Sequence, residues 1–113
     1  MKIYSTMGLE IRDALSAASL PPPAEPLRLK GGSRRPYYSL SLKTGIPAFL
    51  DALFALAPAA EVRTARGRWR GRAEWQAHRR AEADLERLEG AQAAYARGGL
   101  VEAAAWLRGG EGA

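Results

Sequence analysis

The chain has 113 residues, 47% hydrophobic and 26% charged, with no cysteine and a formal charge of +5. That length and balance exclude a disordered chain and suit one domain over 1–113 with a modest core. The lack of cysteine excludes disulfides and thiolate zinc sites, and the longest apolar stretch, Ile46 to Ala60, is too short and too interrupted to span a bilayer.

Lys2-Ile3-Tyr4-Ser5 reads as a short strand, and no apolar leader is visible there, so the cytoplasm is the expected compartment. Thr6 is the expected cap of a helix whose buried face is Ile11, Ala14, Leu15 and Ala18, at the i, i+3, i+4, i+7 spacing. Leu20-Pro21-Pro22-Pro23 stops that helix, and the prolines to Pro26 make a stiff connector. Leu27 to Lys30 and Tyr37 to Lys43 both alternate, which predicts a hairpin with the basic tip Gly31-Gly32-Ser33-Arg34-Arg35-Pro36. Period two sends Tyr38, Leu40 and Leu42 toward the core and Tyr37 to the polar face.

Thr44 is the expected cap of a second helix over 46–57, with Pro47 in its first turn and Asp51 its only charge. Its apolar surface wraps round to Phe54, so a second element, a partner protein or a second copy of the chain is expected to cover it. Glu61 to Arg66 is a fourth strand, and Gly67 and Gly71 leave its continuation through Trp69 ambiguous. From Arg72 to Arg97 the pattern is helical, with Ala81, Leu85, Leu88, Gln92 and Tyr95 in one stripe. Arg80–Asp84 and Arg79–Glu82 are expected ion pairs. Gly98-Gly99 breaks the helix, a short one follows to Leu107 with Leu100, Ala104 and Leu107 inward, and Gly109 to Ala113 fray.

Tyr95 to Trp106, with its Tyr, Gly, Glu-Ala and aromatic, resembles the inter-helix turn of a tetratricopeptide repeat. No second copy exists, so the resemblance implies only an antiparallel helical hairpin within residues 72–108. The fold expected for 2–68 is α+β, in the ferredoxin-like βαββαβ order with an antiparallel sheet. RNA-recognition motifs share that order, and K-I-Y-S-T-M resembles their first-strand aromatic motif, which would place Tyr4 and Tyr37 where bases stack. R-P-Y-Y-S-L-S-L lacks that family's glycine and second spaced aromatic, so the resemblance extends to topology alone.

Charge is segregated along the chain. Residues 28–43 hold five cations and no acid, and 63–80 hold seven arginines, one glutamate, Trp69, Trp75 and His78. A fold that joins these blocks has one basic face. Arginine with interleaved aromatics suits phosphates and bases, so the first expectation is a non-enzymatic DNA- or RNA-binding protein. Its contacts would be Arg34, Arg35, Tyr37, Arg63, Arg66, Arg68, Trp69, Arg70, Arg72 and Trp75. The alternative is an adaptor or inhibitor docking on an acidic protein through Phe54 and Trp106, or a homodimeric module. A merely solvated basic surface is the third reading. No metal or cofactor is expected: His78 and Glu74 alone are not a metal site, and Gly31-Gly32-Ser33 is not a phosphate-binding loop.

Overall fold

The structure is a computed structural model and describes residues 1–108; the expected fraying of Gly109 to Ala113 lies outside the described residues. The elements are β1 (Lys2–Tyr4), α1 (Gly8–Ala17), β2 (Leu29–Lys30), β3 (Tyr37–Ser39), α2 (Ile46–Leu56), β4 (Glu61–Thr64), β5 (Gly67–Arg70) and α3 (Arg72–Leu107). The class is mixed α+β, with one antiparallel sheet in the order β2-β3-β1-β4-β5. The chain divides into two compact units, Met1–Gln76 and the residues from Ala77 on. Among the described residues no helix is long and apolar enough to cross a membrane.

In the first unit the strand pairing sets the core. Leu29, Tyr38, Ile3, Val62 and Trp69 are cross-strand partners in succession, so they share one side of the sheet. That side meets Ile11, Ala14 and Leu15 of α1 and Phe49, Leu50, Leu53 and Phe54 of α2 in one cluster. Leu40 is buried, and Tyr38 and Leu42 pack against the same cluster, so the alternation read for residues 38–42 holds even though β3 itself ends at Ser39. β2 is likewise shorter than expected, two residues only.

Several expectations are corrected here. Met7, not Thr6, caps α1: its amide donates to Glu10 Oε1 at 2.8 Å, while the Thr6 hydroxyl donates to the Met7 carbonyl. Gly45, not Thr44, caps α2, with φ 78°, and a Cβ there would meet Leu20 Cδ2 at 2.8 Å. The left-handed backbone favours glycine there, while the Leu20 side chain could shift to admit a Cβ. The fourth strand does not run on to Arg66. It turns at Ala65-Arg66 and returns as β5, with Thr64 paired to Gly67. The Thr64 hydroxyl stabilises that turn by accepting from the Arg66 and Gly67 amides, each at 3.1 Å.

α2 is covered in part by elements of its own chain. α1 packs along it, and the Trp75 ring stacks on Phe54 with centroids 6.1 Å apart. Phe54, expected as an interface anchor, is 1% exposed. Trp69 meets Trp75 edge-on at 4.9 Å, an arrangement favoured by the ring quadrupoles. Trp75 Nε1 donates to Asp51 Oδ1 at 2.7 Å, which gives the single charge of α2 a structural partner.

In the second unit Gly99 (φ 76°, ψ −154°) interrupts α3. Trp106 Nε1 donates at 3.1 Å to the carbonyl of Arg87, 19 residues back. An unbroken helix would separate those residues by about 28 Å, so the chain folds back as an antiparallel helical hairpin. The hairpin closes on small residues: Ala91 and Ala94 are buried, and a Cβ on Gly90 would collide with the Trp106 indole. Trp106, the other expected interface anchor, is half-buried in this contact. The stripe from Ala81 to Tyr95 is exposed: Leu85 and Leu88 are each 57% exposed and Tyr95 56%. Leu100, Ala104 and Leu107 are exposed as well. The charged contacts here include His78–Glu82 at 3.0 Å, Arg87–Asp84 at 3.9 Å and Arg97–Glu102 at 3.7 Å.

Phe54→Ala should lower the unfolding free energy by about 3–5 kcal/mol, read from urea unfolding followed by circular dichroism. A loss below about 1 kcal/mol would contradict its place in the core.

Candidate functional site

The alternation that buries Ile3, Val62 and Trp69 sends their neighbours to the opposite side of the sheet. One row across that side is Lys30, Tyr37, Tyr4, Glu61 and Arg70. A second row is Ser39, Lys2, Arg63 and Arg68. β1 therefore lies between the two basic blocks and joins them on one face. Residues 30–35 come from one block and 63–70 from the other.

Glu61 sits at the centre of this face, 5% exposed. It accepts from Arg35 Nη1 and from Arg63 Nε, both at 2.8 Å. Arg35 also donates through Nη2 to the Ser5 hydroxyl at 2.9 Å, which fixes the fork of the guanidinium. The Arg35 hydrogen bond is the main cause holding the Glu61 carboxyl below its ordinary value; burial opposes it, and the Arg63 bond and the two positive charges add to the lowering. The hydrogen bond to Glu61 in turn raises Arg63.

Both guanidiniums also lie against the Tyr4 ring, Arg35 at 4.7 Å and Arg63 at 4.8 Å from its centroid. Tyr4 is left 6% exposed. Tyr37 is more open. Its ring is tilted against Tyr4 at 5.5 Å, and Lys2 Nζ stands 5.0 Å from its centroid. Lys2, Tyr4, Gly31, Arg34, Arg35, Tyr37 and Arg63 line a hollow of about 420 Å³. A second hollow, about 440 Å³, shares Lys2 and Arg63 with it and runs along the sheet to Thr64 and Ala65. Another hollow, about 690 Å³, lies by the 23–28 connector, where Glu25 offsets part of the charge of Arg28 and Lys30.

The residues singled out in the sequence fall into three groups. Tyr37, Arg63, Arg68 and Arg70 lie on the open face, and Arg34 and Arg35 reach its hollow from the β2–β3 connection. Arg66 is exposed at the tip of the β4–β5 turn, and Arg72 is exposed at the start of α3. Trp69 and Trp75 are 9% and 3% exposed. Their rings are committed to the core, and the expectation that they stack on bases is corrected on that ground. Lys2, Lys30 and Glu61 belong to the face although the sequence did not single them out. Lys2 could have been found by extending the period of two from Tyr4 along β1. Glu61 required knowing that β4 neighbours β1.

His78 belongs to the second unit and pairs with Glu82, while the Glu74 carboxylate accepts the Arg70 amide at the start of α3. Among the described residues no cluster of three or more His, Cys, Asp or Glu could hold a metal ion. The site offers cations, one accessible aromatic ring and a carboxylate already engaged by arginines, a set that suits an anion or polyanion. Comparison with known proteins brings no match to a family model, a curated protein or a solved structure.

The lowered Glu61 carboxyl has a definite pH signature. A depressed folded value stabilises fully above the ordinary carboxylate range, about pH 4.3, and the gain is lost as pH falls through the folded value. Glu61→Gln should cost about 1 kcal/mol at neutral pH, modest because both arginines are half-exposed. The gap from the parent should narrow as pH falls below the ordinary carboxylate range. Urea midpoints across that range check this; a pH-independent gap would count against the ionised bridge.

Proposed function

We propose that the open sheet face binds single-stranded nucleic acid without catalysing a reaction on it. The observation that carries this reading is the union of the two basic blocks on one face, with the half-buried ring of Tyr37 between them. Lys2, Lys30, Arg35, Arg63, Arg68 and Arg70 surround one carboxylate there. A sheet gives successive bases a flat support, and cations along its edges hold the backbone. The strand order supports a ferredoxin-like reading of the fold: β4-β1-β3-β2 is its sheet order, and β5 adds a strand at the β4 edge.

The roles divide by what already engages each side chain. Arg35 and Arg63 are tied to Glu61, so a phosphate would share them with a carboxylate. Arg34, Arg68 and Arg70 are exposed on the rim and are the backbone contacts this reading favours. Tyr37 is the stacking residue in place of the tryptophans. Lys2, now over its ring, would move to a phosphate when a base arrives.

The rival reading, docking on an acidic protein, loses both of its expected anchors to packing within the chain: Phe54 to the core and Trp106 to the helical hairpin. It survives only as attraction between the basic face and an acidic surface. The experiment that separates the two is titration of labelled oligonucleotides and of polyglutamate, followed by anisotropy.

About four phosphate contacts on a single strand give a salt slope near −3, so affinity should fall roughly 50-fold between about 50 and about 200 mM salt. Replacing Arg34, Arg68 and Arg70 by alanine should flatten that slope by about 2. Tyr37→Ala should weaken binding by about 1–3 kcal/mol, with Tyr37→Phe close to the parent. Equal affinity for polyglutamate, or no effect of Tyr37→Ala, would sink the nucleic-acid reading.

A further inference from the structure

Residues 81 to 95 of α3 carry a pattern that the second unit does not use. Ala81, Leu85, Leu88, Gln92 and Tyr95 follow at intervals of four, three, four and three. This is the seam of a coiled coil, with Leu85 and Gln92 at a positions and Ala81, Leu88 and Tyr95 at d. Within the unit, the return helix lies on a different side, where Gly90 accommodates Trp106 and where Ala91 and Ala94 are buried. The seam is left open for about 21 Å of helix, with its two leucines and its tyrosine all more than half exposed. Three of the large hydrophobic residues exposed among the described residues, Leu85, Leu88 and Tyr95, lie in this one seam, and such a contiguous apolar strip marks an interaction surface.

The charges beside the seam select the occupant. The e positions hold Glu82 and Glu89, and the g position of the first heptad is Asp84. No cation occupies an e or g position between 82 and 91. Glu82 is engaged by His78, and Arg87 stands 3.9 Å from Asp84, whose side chain remains 71% exposed. A second copy of the chain is a poor fit. Paired in parallel, Asp84 would face Glu89 of the other copy; paired antiparallel, e would face e and g would face g, again acid against acid.

We propose that this seam docks an amphipathic helix of another protein with basic residues along both edges of its apolar stripe. Leucines 85 and 88 are the anchors. The acidic edges set the preference for a basic partner and oppose self-pairing, and Gln92 within the seam fixes the register. The seam belongs to the second unit, and the function proposed for the sheet face does not enter into it.

The test uses the full chain and two labelled helical peptides, both with Ile at a and Leu at d. One carries Lys at every e and g, and its twin carries Glu. Anisotropy titrations should show the Lys peptide binding at least about tenfold tighter than its twin. Leu85→Ser with Leu88→Ser should cost at least about tenfold for the Lys peptide. Glu82→Lys with Glu89→Lys, which keeps the apolar seam intact, should reverse the preference between peptides. These are surface positions, and circular dichroism verifies that each variant keeps its helicity. Three results would overturn the proposal. Neither peptide binds, or both bind alike; the double serine variant keeps full affinity, leaving charge attraction alone; or sedimentation shows a dimer that the serine substitutions dissociate, which makes a second copy the occupant.

Discussion

Two arginine-rich stretches repel each other, and the fold places them side by side. What makes that tolerable is Glu61, which links the β2–β3 connection through Arg35 to its own strand through Arg63. The carboxylate is nearly buried while its partners remain half in water, so each arginine keeps solvation and the acid is not left uncompensated. The same two guanidiniums lie against Tyr4, and Tyr4 supports Tyr37. A single acid therefore determines where the cations stand and which aromatic stays open.

This arrangement separates cations that build the face from cations that can serve a ligand. An incoming phosphate at Arg35 or Arg63 competes with a carboxylate already held by charge-assisted bonds. The exposed arginines at the edges face no such competition. On the nucleic-acid reading proposed for this face, affinity comes mainly from the rim, while the centre supplies orientation. A preformed centre reduces the ordering cost of binding, as preorganised sites do elsewhere.

Much of the first unit could be read from the residues. The faces of α1 and α2 and the inward set Tyr38, Leu40 and Leu42 followed from spacing alone, because each element has one apolar side and one place to bury it. The β4–β5 hairpin did not, since its turn has neither Asn-Gly nor Asp-Gly and relies on the Thr64 hydroxyl. That omission displaced the tryptophans. In Arg68-Trp69-Arg70 the flanking arginines suggested an exposed ring, yet on a strand they go to one side and the tryptophan to the other. In the second unit spacing marks the leucine stripe but does not say which side of the helix is packed. The return helix instead uses the small residues, where Trp106 can approach the backbone at Gly90. Size complementarity decided that contact, and hydrophobicity alone does not report it.

The burial of the tryptophans also determines what light can report about this protein. Trp69 and Trp75 belong to the core of the first unit, and Trp106 to the helical hairpin of the second. Their intrinsic emission is a gauge of integrity, with each unit carrying its own chromophores. Replacing Trp106 by phenylalanine would leave a signal from the first unit alone, and replacing Trp69 and Trp75 a signal from the second. Melting the two variants side by side would reveal whether the units come apart in one cooperative event or in succession, independently of anything bound to either.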